Sequence, residues 1–355
     1  MGMYYIFTFL GEFGYELLNW QGVIRKFSRT ISPSDKIICC SRGKLYPLYE
    51  TASIYIDISE VEIFKKSIAS CYFALPPFPH PDHRQKFHPR LILTWDLIFD
   101  WNLKRVLKSF IIQQLRFRLS PLSPKDFVFI FSSDKVELNG CKFGCLRWRC
   151  CGPKAPDGNI YELLDLDNNV YKKLEPDLSF RGFIEEKLGW SLEEPFVLCQ
   201  MRSRTIAIKS KDILPREKLF EFIKALSRKI KVVLLSFNTG RYLDSYSVFD
   251  FVDVPNSFHY NCQSFVEQAC LIYFAKKCVF FTEGDFGSHI YVPPFLGKDV
   301  IAIAPHSVYQ VGTTPIEFWN RNVFKFGGQI IPKVSEEVFA SGQRIRRFIN
   351  NEILI

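Results

Sequence analysis

Cys278-Val279-Phe280-Phe281, then Gly284-Asp285-Phe286-Gly287-Ser288-His289, then Ile290 to Leu296 and Val300-Ile301-Ala302-Ile303-Ala304 read in turn as strand, Gly-rich turn, helix and strand. Short apolar runs bounded by turn residues are strands buried on both faces. Two of them joined through a helix form a βαβ unit with parallel strands. Its polar residues collect at the carboxyl end of the first strand, where open α/β sheets bind ligands. Unpaired N–H groups at a helix start favour a phosphate there. A phosphorylated ligand is therefore expected; a structural turn of small residues is the alternative.

The same rhythm extends upstream. Phe196 to Gln200 is a strand, Arg216 to Arg228 an amphipathic helix, Lys231 to Phe237 and Phe249 to Val254 are strands, and Ser264 to Ala275 is a helix. In the first third, Tyr4 to Phe9 is a strand and Gly11-Glu12-Phe13-Gly14 a turn. From Tyr15, Leu17, Leu18, Val23, Ile24 and Phe27 recur at helical spacing, and strands follow at Lys36 to Cys40 and Ser53 to Ile58. Asp126 to Ser132 adds another strand. The fold class expected is α/β, with two Rossmann-like domains facing across a cleft. The boundaries are 1–175, 176–335 and a tail at 336–355, whose helix carries Arg344, Arg346 and Arg347 and is expected to pack back on the first domain.

Three stretches depart from the rhythm. Ala74-Leu75-Pro76-Pro77-Phe78-Pro79-His80-Pro81 opens a loop over 74–90 that holds His80, His83 and His88. Residues 104–118 are basic and amphipathic, with Val106, Leu107, Phe110, Ile111 and Leu115 on one face. That helix either packs its apolar side inward or lies on an anionic membrane. Residues 139–160 read as an irregular insertion carrying Cys141, Cys145, Cys150 and Cys151, whose spacing lacks the paired C-x2-C pattern of zinc sites.

Composition bounds the rest. At 355 residues with 47% hydrophobic and 23% charged content, the chain has the makings of large packed cores, and 35 Phe point to thick ones. A formal charge of +9 favours anionic partners. Eleven Cys without a recognisable signal segment favour reduced thiols, and no apolar run is long enough to span a bilayer. The expected location is cytoplasmic or peripheral on the inner face of a membrane. No G-x-G-x-x-G follows the first strand, and no Walker A, G-x-S-x-G or H-E-x-x-H motif is present.

Several residues stand where chemistry is done. Glu12 ends the first strand in a turn with Gly11, Gly14 and Tyr15; it is a candidate general base or a helix cap, and Glu16 lies one helical turn on. Arg202, Arg204, Lys209 and Lys211 follow the first strand of the second half and suit a pyrophosphate, unless the loop is merely solvated. Glu283 and Asp285 can accept from ribose hydroxyls or orient neighbours. Gly287, Ser288 and His289 can hold a phosphate, or His289 can be a structural histidine.

These motifs resemble those of GT-B glycosyltransferases, most of all the heptosyltransferase type. The likeness lies in Gly11-Glu12 after the first strand, the basic run Arg202 to Lys211, and Asp285-Phe286-Gly287-Ser288-His289 with Leu296-Gly297-Lys298-Asp299-Val300. Glu12 stands where that family has Asp, and the late motif is one residue shorter before His289. The basic run also resembles that of GT-B fucosyltransferases. The resemblance implies transfer of a sugar from a nucleotide-sugar donor to a hydroxyl of a glycan or glycolipid, inverting and without an obligatory metal or other cofactor. Glu12 would be the base, the cations and the 283–289 segment the donor site, and Gly11, Gly14, Tyr15 and Glu16 the acceptor side. Other classes left open are a nucleotide-sugar epimerase of the same fold, a sugar-binding protein without catalysis and a basic nucleic-acid binder. No recognisable nucleic-acid module supports the last.

Overall fold

A computed structural model describes residues 2–10, 13–61, 101–119, 126–132, 134, 136–143, 170–204, 213–237, 244–245, 253–283, 288–307 and 316–355. The chain forms two compact units, Met1–Tyr171 with Gly240–Tyr242, and Lys172–Thr239 with Leu243–Ile355. The break falls a few residues ahead of the one read from Glu175-Pro176.

The first unit is built on β1 (Tyr4–Thr8), α1 (Gln21–Phe27), β2 (Lys36–Ser41), β3 (Ile54–Asp57), α2 (Trp101–Arg118), β4 (Phe127–Phe131), β5 (Val136–Leu138) and β6 (Cys141–Phe143). Four strands form a parallel sheet in the order β3-β2-β1-β4. Alternation along the strands gives each face its own cover. Ile6, Ile38, Cys40, Ile56 and Phe131 pack with Leu103, Leu107, Ile111 and Leu115 of α2. On the other side Phe7, Trp20, Phe27 and Phe143 meet edge-on or tilted at 5.0–6.2 Å between centroids. The amphipathic helix thus turns Leu107, Ile111 and Leu115 inward with Phe110 partly buried, whereas Val106, expected on that face, is 48% exposed.

Residues 139–143, expected in an irregular insertion, belong instead to the β5–β6 hairpin. Asn139 (φ 49°) and Gly140 (φ 72°) supply the two left-handed residues of its tight turn. Cys141 is a buried free thiol there. Cys145, Cys150 and Cys151, like the loop with His80, His83 and His88, lie outside the described residues.

The second unit contains α3 (Arg181–Leu188), β7 (Phe196–Arg204), α4 (Arg216–Ser227), β8 (Lys231–Phe237), β9 (Asp244–Ser245), β10 (Ser257–Cys262), α5 (Phe265–Phe274), β11 (Lys277–Thr282), α6 (Val292–Phe295), β12 (Val300–Ala304), α7 (Ile316–Asn322), β13 (Ile330–Val334) and α8 (Gly342–Phe348). Six strands run parallel in the order β10-β8-β7-β11-β12-β13, and β9 pairs antiparallel with the end of β7. One face is covered by α4 and the tail: Phe222, Ile345, Ile349 and Ile353 share a core with Val197, Met201, Val279, Phe281, Ile301 and Ile303. The tail expected to return to the first domain is therefore part of the second unit's core, because its buried isoleucines fall at helical spacing against α4.

Two strand assignments change. Of Phe249 to Val254 only Asp253 and Val254 are described, and neither is strand; the edge strand is β10, in register with Val232–Phe237 of β8. β13 adds an edge strand that carries Pro332. An edge strand tolerates a missing donor.

Candidate functional site

Each sheet has a point where strand order reverses. In the first unit the chain runs β1, β2, β3 outward on one side and then returns to place β4 on the other side of β1. In the second it runs β7, β8, β10 one way and β11, β12, β13 the other. Loops leaving the two central strands in opposite directions open a crevice at their carboxyl ends. The acidic turn read from the sequence follows β1, and both the basic run and the 283–289 segment follow β7 and β11. All three therefore stand at a reversal.

At the second reversal β7 runs longer than expected. Arg202 and Arg204 lie within the strand rather than in a loop, Arg202 opposite Thr282 and Arg204 opposite Asp244. Their side chains, and Lys209, Lys211, Asp285 and Gly287 entirely, lie outside the described residues. Glu283 is fully buried and bound on three sides. Arg216 Nη1 donates to its Oε1 at 2.6 Å, Arg216 Nη2 to its Oε2 at 3.0 Å, and Leu214 N–H to Oε1 at 2.9 Å. Of its two expected roles, Glu283 fills that of orienting neighbours: it ties the start of α4 to the end of β11.

His289 is likewise fully buried, stacked on Phe280 at 5.8 Å with Nε2 3.2 Å from Thr282 Oγ1. That arrangement fits the structural role. Beside it on the same face, Gln268 Nε2 of α5 donates to Gln200 Oε1 of β7 at 3.2 Å, both side chains buried. Ser288 opens a 3-10 turn, Ser288–Tyr291, and only the four-residue α6 follows. Pro293 and Pro294 lack the N–H groups needed to carry on the ladder, and Gly297 (φ 73°) closes it. The helix expected over Ile290 to Leu296 is thus one turn of each kind, and so short a helix sums few peptide dipoles.

At the first reversal Gly11 and Glu12 lie outside the described residues. Phe13–Tyr15 is a helical turn that includes the half-buried Gly14; nothing is described of the Tyr15 side chain. A π-helical turn, Glu16–Trp20, comes next. Turns of this kind are frequent at functional sites. Glu16 is 2% exposed and accepts a short hydrogen bond from Tyr49 Oη. Burial pushes its carboxyl up to about 7, against the pull of Ser41, Tyr49 and Arg42.

The partners of Glu16 are themselves held from β3. Lys44 N–H donates to Asp57 Oδ2, Leu45 N–H to Tyr55 Oη and Gly43 N–H to Ser59 Oγ, at 2.9–3.0 Å. Gly43 and Lys44 both take positive φ, which turns three successive N–H groups towards that strand. Arg25 braces the far end, its Nε and Nη2 donating to the two carboxylate oxygens of Glu50 at 2.6 and 2.9 Å and its Nη1 to Val170 O at 2.7 Å. On the β4 side Ser132 Oγ accepts from Leu10 N–H at 3.0 Å, and Asp134 takes Lys104 Nζ at 2.6 Å.

Sequence reasoning named Glu16 but missed Arg42, Tyr49, Ser132 and Arg216. Only Arg42-Gly43-Lys44, a basic turn directly after a buried strand, carried a usable signal. Among the described residues no three His, Cys, Asp or Glu side chains gather as a metal-ligand set. Among them also, no helix is long and apolar enough to cross a membrane.

No protein-family model matches the sequence, and no curated protein does. Solved structures are similar to it. The E. coli ADP-heptose lipopolysaccharide heptosyltransferase II is 11% identical over 99% of this chain and 98% of that one, with a TM-score of 0.48. A glycosyl transferase family 9 protein from Veillonella parvula DSM 2008 is 11% identical over 93% and 86%, at 0.44. An E. coli heptosyltransferase solved with ADP is 11% identical over 98% and 99%, at 0.44. Likenesses this distant transfer no function; the chemistry of this chain has to be read from its own two sheet edges.

Proposed function

We propose that this chain is a glycosyltransferase of GT-B type, moving a sugar from a nucleotide-sugar donor to a hydroxyl of a glycan or glycolipid. One observation carries the reading: both parallel sheets reverse their strand order where the sequence places its acidic and basic candidates. The second unit takes the donor. Arg202, Arg204 and Lys209 or Lys211 stabilise the diphosphate as charge grows on it, with the turn through Asp285, Gly287 and Ser288 beside them. Glu283 and His289 act from beneath, fixing α4 and the turn after β11.

The first unit takes the acceptor, with Gly11, Gly14 and Tyr15 around it. Glu12 accepts the hydroxyl proton as the new bond forms at the anomeric carbon. The bond to the diphosphate oxygen breaks on the opposite face and the diphosphate departs, inverting the centre. The chemistry proposed needs no bound metal or cofactor. The +9 charge accords with anionic substrates held at a cytoplasmic membrane face.

A thermal-shift screen across nucleoside diphosphates and their sugars tests this. A true donor raises the midpoint by mass action. Arg202→Ala should abolish that shift, while Glu12→Gln should keep it and lose turnover with acceptor present. Stabilisation by no diphosphate, or full turnover by Glu12→Gln, overturns the assignment. Product formed without any acceptor would instead identify an epimerase.

A further inference from the structure

The first unit's ligand edge contains a buried carboxyl that the proposed sugar transfer does not use. Glu16 begins the π-helical turn directly behind the loop that follows β1, and two strands and a 3-10 turn send residues to it. From the end of β2 come Ser41 and the buried Arg42, and from the 3-10 turn at Tyr46–Leu48 and its cap comes Tyr49. From β3 come Tyr55, stacked on Tyr49 at 6.1 Å, and Asp57. Cys39 is the other titratable neighbour on β2, and Glu50 beyond it is held by Arg25. The 42–45 loop cannot drift from this cluster, because three of its N–H groups are taken by Gly43–Ser59, Lys44–Asp57 and Leu45–Tyr55 contacts.

We infer that Glu16 is a positioning residue and a proton-controlled latch: its neutral carboxyl holds the 13–20 turn against Tyr49 and Arg42, and its ionisation loosens that turn from the sheet edge. Burial sets the direction. Tyr49 Oη, Ser41 and Arg42 favour the carboxylate, but together they replace only in part the solvation that a buried carboxylate forfeits. Opening the turn returns the group to water, where ionisation costs nothing extra. Higher pH therefore favours the open turn. The latch rests on the glycosyltransferase reading only in calling this edge the acceptor's; the opening itself comes from Glu16 and its neighbours.

Hydrogen–deuterium exchange on the full chain between pH 6 and pH 8, corrected for intrinsic rates, tests it without any substrate. In the wild type, opening of peptides covering Phe13–Trp20 should rise about tenfold over that range, as a carboxyl at about 7 in the closed turn and near 4.5 in the open one requires. Peptides covering Val300–Ala304 should not move. Glu16→Gln, which keeps shape and hydrogen bonding but not the charge, should abolish the rise. Tyr49→Phe removes a bond that favours the carboxylate and should displace the rise to higher pH. A rise that persists in Glu16→Gln, one shared equally by the second unit, or none at all overturns the latch. Should Glu16→Gln fail to fold, an unmoved midpoint in Tyr49→Phe overturns it equally. None of these outcomes bears on donor binding, so the latch and the glycosyltransferase reading fail separately.

Discussion

Two glutamates, each buried at the carboxyl edge of a parallel sheet, keep opposite company. Glu283 in the second unit meets a guanidinium along both carboxylate oxygens and a backbone N–H besides. Glu16 in the first meets the Tyr49 phenol, with Ser41 and Arg42 beside it, and burial raises its carboxyl to about 7. Burial is equal; the difference is what replaces water. A bidentate ion pair makes the second edge a fixed ion site, whereas a neutral donor leaves the first edge poised between two charge states.

The sharpest way to break this contrast is to strip Glu283 of its partner. Arg216→Ala should cost the second unit about 3 kcal/mol in denaturant unfolding, since a buried carboxylate loses its bidentate guanidinium partner. A loss under about 1 kcal/mol would mean that water reaches Glu283 and the two sites are alike. Next is the pH response of the first unit. Its folded-state value for Glu16 lies above the ordinary carboxylate value, so the stabilisation is complete at low pH and lost as pH rises through about 7. Between pH 5 and pH 8 the loss should be about 2–3 kcal/mol, and Glu16→Gln should flatten it.

Smaller effects separate the two edges further. Ser132→Ala, which frees the Leu10 N–H, and Thr282→Val, which removes the contact to His289, should each cost about 1 kcal/mol. Each loss should appear in its own unit if the two unfold in separate steps by calorimetry. The least should come from Phe117→Ser: Phe117 is 81% exposed on α2, and its loss should change stability by under about 0.5 kcal/mol. A larger drop would show that the outer face of α2 is covered.

Strands such as Val300–Ala304 were legible because a parallel sheet buries both faces, leaving an unbroken apolar run between polar turns. Ser264 and Gly297 bounded their helices for equally local reasons. What was not legible depended on distant partners. Nothing around Phe258 or Pro332 marks a strand; β10 and β13 exist because β8 and β12 offer them an edge. The site divides in the same way. Glu16 could be named from its place after β1, but its raised proton affinity comes from burial under distant residues such as Tyr49, 33 residues on. For Glu283 the sequence leaves two roles open, a ribose ligand or an orienting group, and it takes Arg216, 67 residues upstream, to favour the second.

The isoleucines at 345, 349 and 353 finish the core begun by Val197 and Phe222. During synthesis the strands of the first sheet are all available once residue 131 has emerged, so that unit can mature while the ribosome is still reading the second. The second must wait for Ile353 with Phe222 and its neighbours uncovered, a long interval in which chaperones rather than the fold itself guard the nascent chain.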